Sequence, residues 1–218
     1  IMTETVELPT QTQSALDFKR ALLNDLRAFE SMLDQDLFET NLRRIGVEQE
    51  LFLLDRAGRP APLALKALEN LPKATFTNEL ALFNLEFNTQ PLIYGTDCFR
   101  QMQQCMTSAL DQATTAVENQ AGRVMMSGIL PTLQNSDLSL DNMTPFERYR
   151  DLNEVIMRLR GGPYVMAIDG YDVFRTVADS IMLEACNTSF QVHMQVDPAE
   201  FARLYNLAQA VAERDYTS

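Results

Sequence analysis

The sequence has no tryptophan, one histidine and few basic side chains, with 18 Lys and Arg against 30 Asp and Glu. The formal net charge is −12, and no basic cluster is larger than the pair Arg43 and Arg44. Proteins bind nucleic acids and anionic membrane surfaces through clustered Lys and Arg. The sequence therefore predicts neither a nucleic acid nor a membrane as a partner.

Two further absences concern the cellular compartment. The sequence contains no run of about 18 apolar residues, the length that a membrane-spanning helix needs. Its N-terminal residues are polar and lack the apolar core of a signal peptide. Its three cysteines are odd in number and lack the paired spacing of a metal site. We expect a cytoplasmic protein with reduced thiols.

The length and composition are those of a folded domain. Of the 218 residues, 46% are apolar and 22% are charged, which argues against disorder, collagen and coiled coil. A compact domain of this length buries roughly 70% of the surface of its unfolded chain. We expect residues 1–218 to form one domain. Assemblies of two or more copies are common among soluble enzymes, so the possibility of a homo-oligomer stays open.

Helical and strand patterns alternate along the chain. Helices are predicted at residues 14–35, 63–71, 96–119, 144–160 and 197–214, and residues 172–185 are ambiguous but mostly helical. Strands are predicted at residues 44–54, 81–90, 124–130, 164–168 and 189–196. Thr144 and Glu147 are expected to form a capping box at the start of their helix. Strands of alternating polarity favour an α+β fold, with an antiparallel or mixed sheet and helices on one face.

Three of these strands have a polar face with glutamate or the histidine on it. Side chains alternate across a strand, so residues two apart share a face. None of the polar-face positions holds Lys or Arg. They are Glu48 and Glu50 in the first strand, Asn84, Glu86 and Asn88 in the second, and Gln191, His193 and Gln195 in the last.

Two interpretations of these polar faces stay open. Each face can simply meet water, as one face of an antiparallel sheet often does. Alternatively, if the three strands are neighbours, their carboxylates raise one another's pKa unless a cation neutralises them. Mg²⁺ and Mn²⁺ prefer hard oxygen ligands with an occasional imidazole, and divalent ions in such sites hold nucleotide phosphates.

Four short motifs follow one another in order along the chain. They are GVEQELFL at residues 46–53, NLEFNTQP at 84–91, GILP at 128–131 and SFQVH at 189–193. Together they resemble glutamate–cysteine ligase family 2, the carboxylate–amine ligases related in fold to glutamine synthetase.

This resemblance implies an ATP-dependent ligase with a glutamine synthetase-like catalytic funnel on the concave face of an antiparallel sheet. ATP would phosphorylate the γ-carboxylate of glutamate, and an amine acceptor such as cysteine would displace the phosphate, as in glutathione biosynthesis. By motif position, Glu48, Glu50, Glu86 and His193 match the catalytic residues that hold Mg²⁺ or Mn²⁺. His193 would share a metal with Glu48, and Glu79 fits a further acidic ligand upstream.

The resemblance also bears on the extent of the chain. Family members are much longer, and their second half supplies a further glutamate and basic residues that contact the nucleotide. We therefore expect this chain to be the N-terminal part of a longer ligase-like protein, with an incomplete funnel.

Three other functions can be weighed against the ligase. Cys186 and His193 are seven residues apart, which would place them on opposite faces of one strand and argues against a thiol nucleophile. A non-catalytic binding module could retain the ligase fold, although the intact Glu48, Glu50 and Glu86 favour catalysis. A Mg²⁺-dependent phosphohydrolase with the same carboxylates would release phosphate from ATP without an amine.

Overall fold

The computed structural model describes residues 11–215. The chain divides into two compact units, of which one comprises residues 44–194 and the other residues 11–43 together with 195–215. The helices are α1 (Gln11–Asp34), α2 (Ala64–Leu68), α3 (Cys98–Glu118), α4 (Glu147–Arg160) and α5 (Phe201–Asp215). The strands are β1 (Arg44–Leu54), β2 (Phe76–Asn78), β3 (Asn84–Asn88), β4 (Leu92–Ile93), β5 (Arg123–Met125), β6 (Tyr164–Asp169), β7 (Val173–Ala178) and β8 (Phe190–Met194).

Strand β1 is the centre of the main sheet. It pairs antiparallel with β3 and β4 along one edge and with β8 and β5 along the other, and β2 extends the sheet beyond β3. Its 11 residues give each edge room for two shorter strands end to end. The predicted α+β fold with an antiparallel sheet is confirmed, whereas the catalytic funnel stays a prediction.

The two faces of β1 have different surroundings. Leu51 and Leu53 face an apolar core to which α2 and α3 contribute small residues, including Ala67 and Ala113. The opposite face of β1 bears Glu48 and Glu50 and then Phe52 and Leu54. Phe52 and Leu54 are buried in a second apolar cluster, whose members also include Phe83, Ile181 and Met182. The acidic positions of β1 therefore border a buried apolar cluster.

Two strand and helix predictions are wrong. Residues 172–185 were expected to be mostly helical, but they form β7 and then most of the 3-10 helix Ile181–Cys186. Val, Phe and Thr are common in β7, and such residues favour strands. Strands β6 and β7 pair only with each other among the described strands. The strand predicted at residues 124–130 is limited to β5.

The start of α4 also differs from the prediction. The helix begins at Glu147, and its N-cap residue Phe146 makes no side-chain capping bond. Thr144 lies before the helix, where it is fully buried and donates its hydroxyl to a distant main-chain carbonyl. The end of α4 agrees with the sequence, because Gly161 takes the left-handed conformation with φ +76° that glycine adopts readily.

The second unit contains α1 and α5. Glu200 accepts hydrogen bonds from Arg203 at 2.7 Å and from Arg43 at 2.5 Å, and these bonds lower the pKa of its carboxyl group. Asp197 accepts a hydrogen bond from the main-chain nitrogen of Ala199 and thereby caps the short 3-10 helix Pro198–Glu200 that precedes α5. None of the helices in the described part of the chain is long and apolar enough to cross a membrane.

Candidate metal centre

Three glutamates converge on the polar face of the main sheet. Glu50 and Glu86 are directly opposite each other on β1 and β3, and Glu79 lies in the turn between β2 and β3. One carboxylate oxygen from each residue lies within 4.8 Å of the other two. Glu86 is buried, and Glu50 and Glu79 are half-buried. We call Glu50, Glu79 and Glu86 the glutamate triad.

The main chain around Glu79 is held by the segment that precedes α4. The hydroxyl of Thr144 donates to the carbonyl oxygen of Glu79 at 2.6 Å, and its main-chain nitrogen donates to the carbonyl oxygen of Leu80 at 2.8 Å. An isolated β-bridge between Ala81 and Met143 continues the contact. Glu79 therefore keeps its position although it does not belong to a strand.

The charge of the triad changes the acidity of Glu79. Burial, a hydrogen bond with Glu86, and the negative charges of Glu86 and Glu50 raise the pKa of the Glu79 carboxyl group from 4.5 to about 7. A hydrogen bond from the main-chain nitrogen of Leu80 acts in the opposite direction but is weaker. Carboxylates held this close together raise one another's pKa, and a cation bound among them would lower it.

Neighbouring donors orient the other two members of the triad. The main-chain nitrogen and the hydroxyl of Ser189 donate to the two carboxylate oxygens of Glu50, at 2.8 and 2.9 Å. The side-chain amide of Asn88 donates to Glu86 at 2.6 Å. Ser189 immediately precedes β8 and Asn88 is the last residue of β3, so residues at the ends of two strands of the sheet set the directions of both carboxylates.

The other two predicted ligands form a separate pair on the same face. Glu48 is two residues from Glu50 on β1, and His193 lies on β8, next to β1. His193 Nε2 is 3.5 Å from Glu48 Oε1. Among the described residues, neither belongs to the cluster of carboxylates formed by the triad. The structure thus brings all five predicted ligands to one face, but as a group of three and a group of two.

A basic side chain is held beside the triad by an aromatic neighbour. The guanidinium of Arg148 lies 4.6 Å from the ring centroid of Tyr149 and donates to the Tyr149 hydroxyl at 2.9 Å. The side-chain amide of Asn78, the residue before Glu79, donates to the same hydroxyl at 2.9 Å. Burial and the charge of Glu79 raise the pKa of Tyr149. These contacts of Arg148 depend on the fold, so no local sequence pattern distinguishes it from the other arginines of α4.

The family comparison covers this part of the chain. The model of glutamate–cysteine ligase family 2 matches residues 44–212, which includes the main sheet and all five predicted ligands. The chain belongs to glutamate–cysteine ligase family 2. No curated protein and no solved structure matches it. Membership of this family indicates a carboxylate–amine ligase.

The side chains present in this ligase-family chain fit a divalent cation. Oxygen ligands of one octahedral Mg²⁺ are about 3 to 4.2 Å apart, because each lies at about 2.0–2.1 Å from the ion. The triad oxygens lie within 4.8 Å of one another, so rotation of the side chains can bring them to that spacing. All three are hard carboxylate donors, the kind that Mg²⁺ and Mn²⁺ prefer.

The contacts of Cys186 argue further against a thiol nucleophile. Cys186 ends the 3-10 helix and is not in the same strand as His193. Burial and the charge of Glu184 raise the pKa of the Cys186 thiol, which keeps it protonated. A protonated thiol is a poor nucleophile, which argues against a covalent intermediate on Cys186.

Proposed function

We propose that this protein is the metal-binding part of an ATP-dependent ligase that joins the γ-carboxylate of glutamate to an amine such as that of cysteine. The glutamate triad carries the proposal, because a divalent cation would neutralise three carboxylates that lie this close together. The match to the ligase family over residues 44–212 supports the same conclusion.

The five acidic and imidazole side chains would hold two divalent ions. Glu50, Glu79 and Glu86 suit one Mg²⁺ or Mn²⁺, and Glu48 with His193 suits a second. Such ions offset the charge that develops on a transferred phosphoryl group. Ser189 and Asn88 orient the carboxylates of Glu50 and Glu86 through hydrogen bonds. In other metal sites, hydrogen bonds to the ligands orient them in the same way.

The reaction needs no covalent bond to the protein. An oxygen of the γ-carboxylate bonds to the γ-phosphorus of ATP, and ADP leaves. The amine nitrogen then bonds to the acyl carbon, loses a proton, and inorganic phosphate leaves. The protein's contribution is to position the reactants and to stabilise charge.

Arg148 is suited to an anionic part of the substrates. Its guanidinium is exposed and stacked on Tyr149, next to Asn78 at the edge of the triad. A guanidinium binds phosphate or carboxylate oxygens through paired donors. We propose that Arg148 contacts a phosphate of ATP or the carboxylate of glutamate.

Measuring ADP release by the longer protein, in which residues 1–218 are joined to the expected second half, tests this function. The assay contains Mg²⁺, ATP, glutamate and cysteine, and each is omitted in turn. ADP release that needs both glutamate and the amine, and that is lost in Glu86→Gln, is the expected result. Glu118→Gln is the matched control, because Glu118 is exposed at the end of α3. ADP release without glutamate or an amine would identify a phosphohydrolase and contradict the proposal.

A further inference from the structure

Helix α1 carries a continuous apolar stripe along one face. Phe18, Leu22, Leu26, Phe29 and Leu33 are three or four residues apart, the spacing that places side chains on one side of a helix. The stripe is about 22 Å long at a rise of 1.5 Å per residue. Because α1 precedes residues 44–212, the stripe lies outside the region that matches the ligase family. We call these five residues the α1 stripe.

The side chains of the α1 stripe are exposed although they are large and apolar. The exposed fraction of each lies between 40% and 71%. Phe29 contacts the ring of Phe38 and still remains exposed. Helices in proteins owe most of their stability to the packing of an apolar face, and a large exposed apolar patch usually marks an interaction site. The α1 stripe is therefore suited to contact a partner surface.

The charges beside the α1 stripe indicate which partner fits it. Lys19 and Glu30 are 11 residues apart, or about three helical turns, so both lie along the same flank of the stripe. If two α1 helices pack antiparallel along their stripes, this flank of one helix meets the same flank of the other. Leu26 then lies near the two-fold axis, and Lys19 of each copy faces Glu30 of the other. The charges of α1 are thus complementary to those of a second α1 helix.

Two other arrangements fit these charges less well. After Arg27, α1 contains Glu30 and Asp34 but no further Lys or Arg, so a parallel pair would place two acidic ends side by side. A helix that lies on an anionic membrane surface is rich in Lys and Arg on its polar face. Helix α1 instead has four acidic and three basic residues. Its charges favour an antiparallel pair of helices over both alternatives.

We propose that two copies of this chain associate through their α1 helices, which pack antiparallel along the α1 stripe. Each copy contributes the same surface, so the interface is closed by two chains. The stripes form its apolar centre, and two pairs of Lys19 with Glu30 form part of its charged rim. This pairing is independent of the proposed ligase function, because α1 holds none of the candidate metal ligands.

Sedimentation velocity over a range of protein concentrations tests this pairing. It is measured on the 218-residue chain and on the longer protein that also contains the expected second half. We expect a concentration-dependent dimer in both. In Leu26→Glu, the dissociation constant of the dimer should rise at least about a hundredfold, because the dimer loses two buried leucines. Asn24→Glu adds the same charge on the opposite face of α1 and should leave the dissociation constant largely unchanged.

Two charge reversals test the antiparallel direction. Lys19→Glu and Glu30→Lys should each weaken the dimer about fivefold, since each places like charges opposite each other twice. The double variant, Lys19→Glu with Glu30→Lys, restores opposite charges and should recover the wild-type dissociation constant. In a parallel pair each residue lies beside its own copy, so neither reversal would have this effect. Circular dichroism checks that every variant keeps its helical content.

Three results would overturn the proposal. The first is a wild-type chain that stays monomeric at every concentration, or a dimer whose dissociation constant is the same in Leu26→Glu. The second is a longer protein that stays monomeric while the 218-residue chain dimerises, because the second half would then cover the α1 stripe. The third is a dimer that Leu26→Glu disrupts but neither charge reversal weakens, which would exclude the antiparallel arrangement.

Discussion

The hydroxyl of Thr144 donates a hydrogen bond of 2.6 Å to the main-chain carbonyl oxygen of Glu79, a residue 65 positions earlier in the chain. This contact ties the segment before α4 to the turn that carries one member of the glutamate triad. A threonine outside the site thus sets the position of a candidate metal ligand.

Thr144→Val should weaken metal binding as well as the fold. Thr144 is fully buried, and its loss leaves the Glu79 carbonyl oxygen without its donor, which costs about 1–3 kcal/mol of the free energy of unfolding. Urea unfolding and a Mn²⁺ titration check both effects. Thr144→Ser keeps the hydroxyl and is the control. If the two variants bind Mn²⁺ equally well, the hydrogen bond does not position Glu79 for a metal.

Glu79→Gln should stabilise the metal-free protein at alkaline pH. The pKa of Glu79 is about 7 in the folded protein and 4.5 in the unfolded chain. The protonated form of Glu79 therefore stabilises the fold fully at pH values below 4.5. This contribution is lost as the pH rises through about 7. We therefore expect Glu79→Gln to raise the melting temperature by about 2–4 °C near pH 8, a gain of about 1 kcal/mol after allowance for solvent screening.

The same comparison near pH 5 is the control for this prediction. Glu79 is then protonated in the folded protein and resembles glutamine in both charge and shape. The stabilisation should therefore largely disappear. An equal effect at both pH values would show that the charge of Glu79 is not what destabilises the wild-type protein.

Metal affinity should depend on pH through the same carboxyl group. A divalent ion binds the ionised carboxylate, so a protonated Glu79 must lose its proton when the metal binds. With a pKa of about 7, we expect the Mn²⁺ affinity to fall about tenfold between about pH 8 and pH 6. Calorimetry in two buffers of different ionisation enthalpy measures the released protons. A pH-independent affinity without proton release would exclude Glu79 as a ligand.

Asn84→Leu should make the ligand-free protein more stable. The buried amide of Asn84 has no hydrogen-bond partner among the described residues, and an apolar side chain of the same shape avoids that cost. We expect a gain of about 1 kcal/mol in the free energy of unfolding, measured in urea. A decrease of comparable size in the free energy of unfolding would mean that the amide of Asn84 is hydrogen-bonded in the native protein.

The local pattern predicted the elements of the site better than their contacts. The bounds of β1 and the shared face of Glu48 and Glu50 follow from alternating polarity, which is a local property. That β1 pairs with both β3 and β8 depends on contacts between residues far apart in sequence. No local pattern therefore indicates that the three strands are neighbours.

Other parts of the site have no reliable local signal. Thr144 and Glu147 have the three-residue spacing of a capping box, which predicts that Thr144 caps the helix. Tertiary contacts instead bury Thr144 against the main chain of Glu79. Glu79 was selected only through the family resemblance, since it is not in a strand. Asn84 shares the polar face, but its missing partners become visible only when its surroundings are known.

A calorimetric Mn²⁺ titration of the wild-type chain and of Glu86→Gln tests the central claim most directly. Glu86 is a buried member of the triad, and glutamine keeps its shape while removing the charge. Saturable binding that weakens at least about tenfold in Glu86→Gln, but not in Glu118→Gln, is the predicted result. Equal Mn²⁺ affinity in wild type and Glu86→Gln would contradict the assignment of the glutamate triad as a metal site.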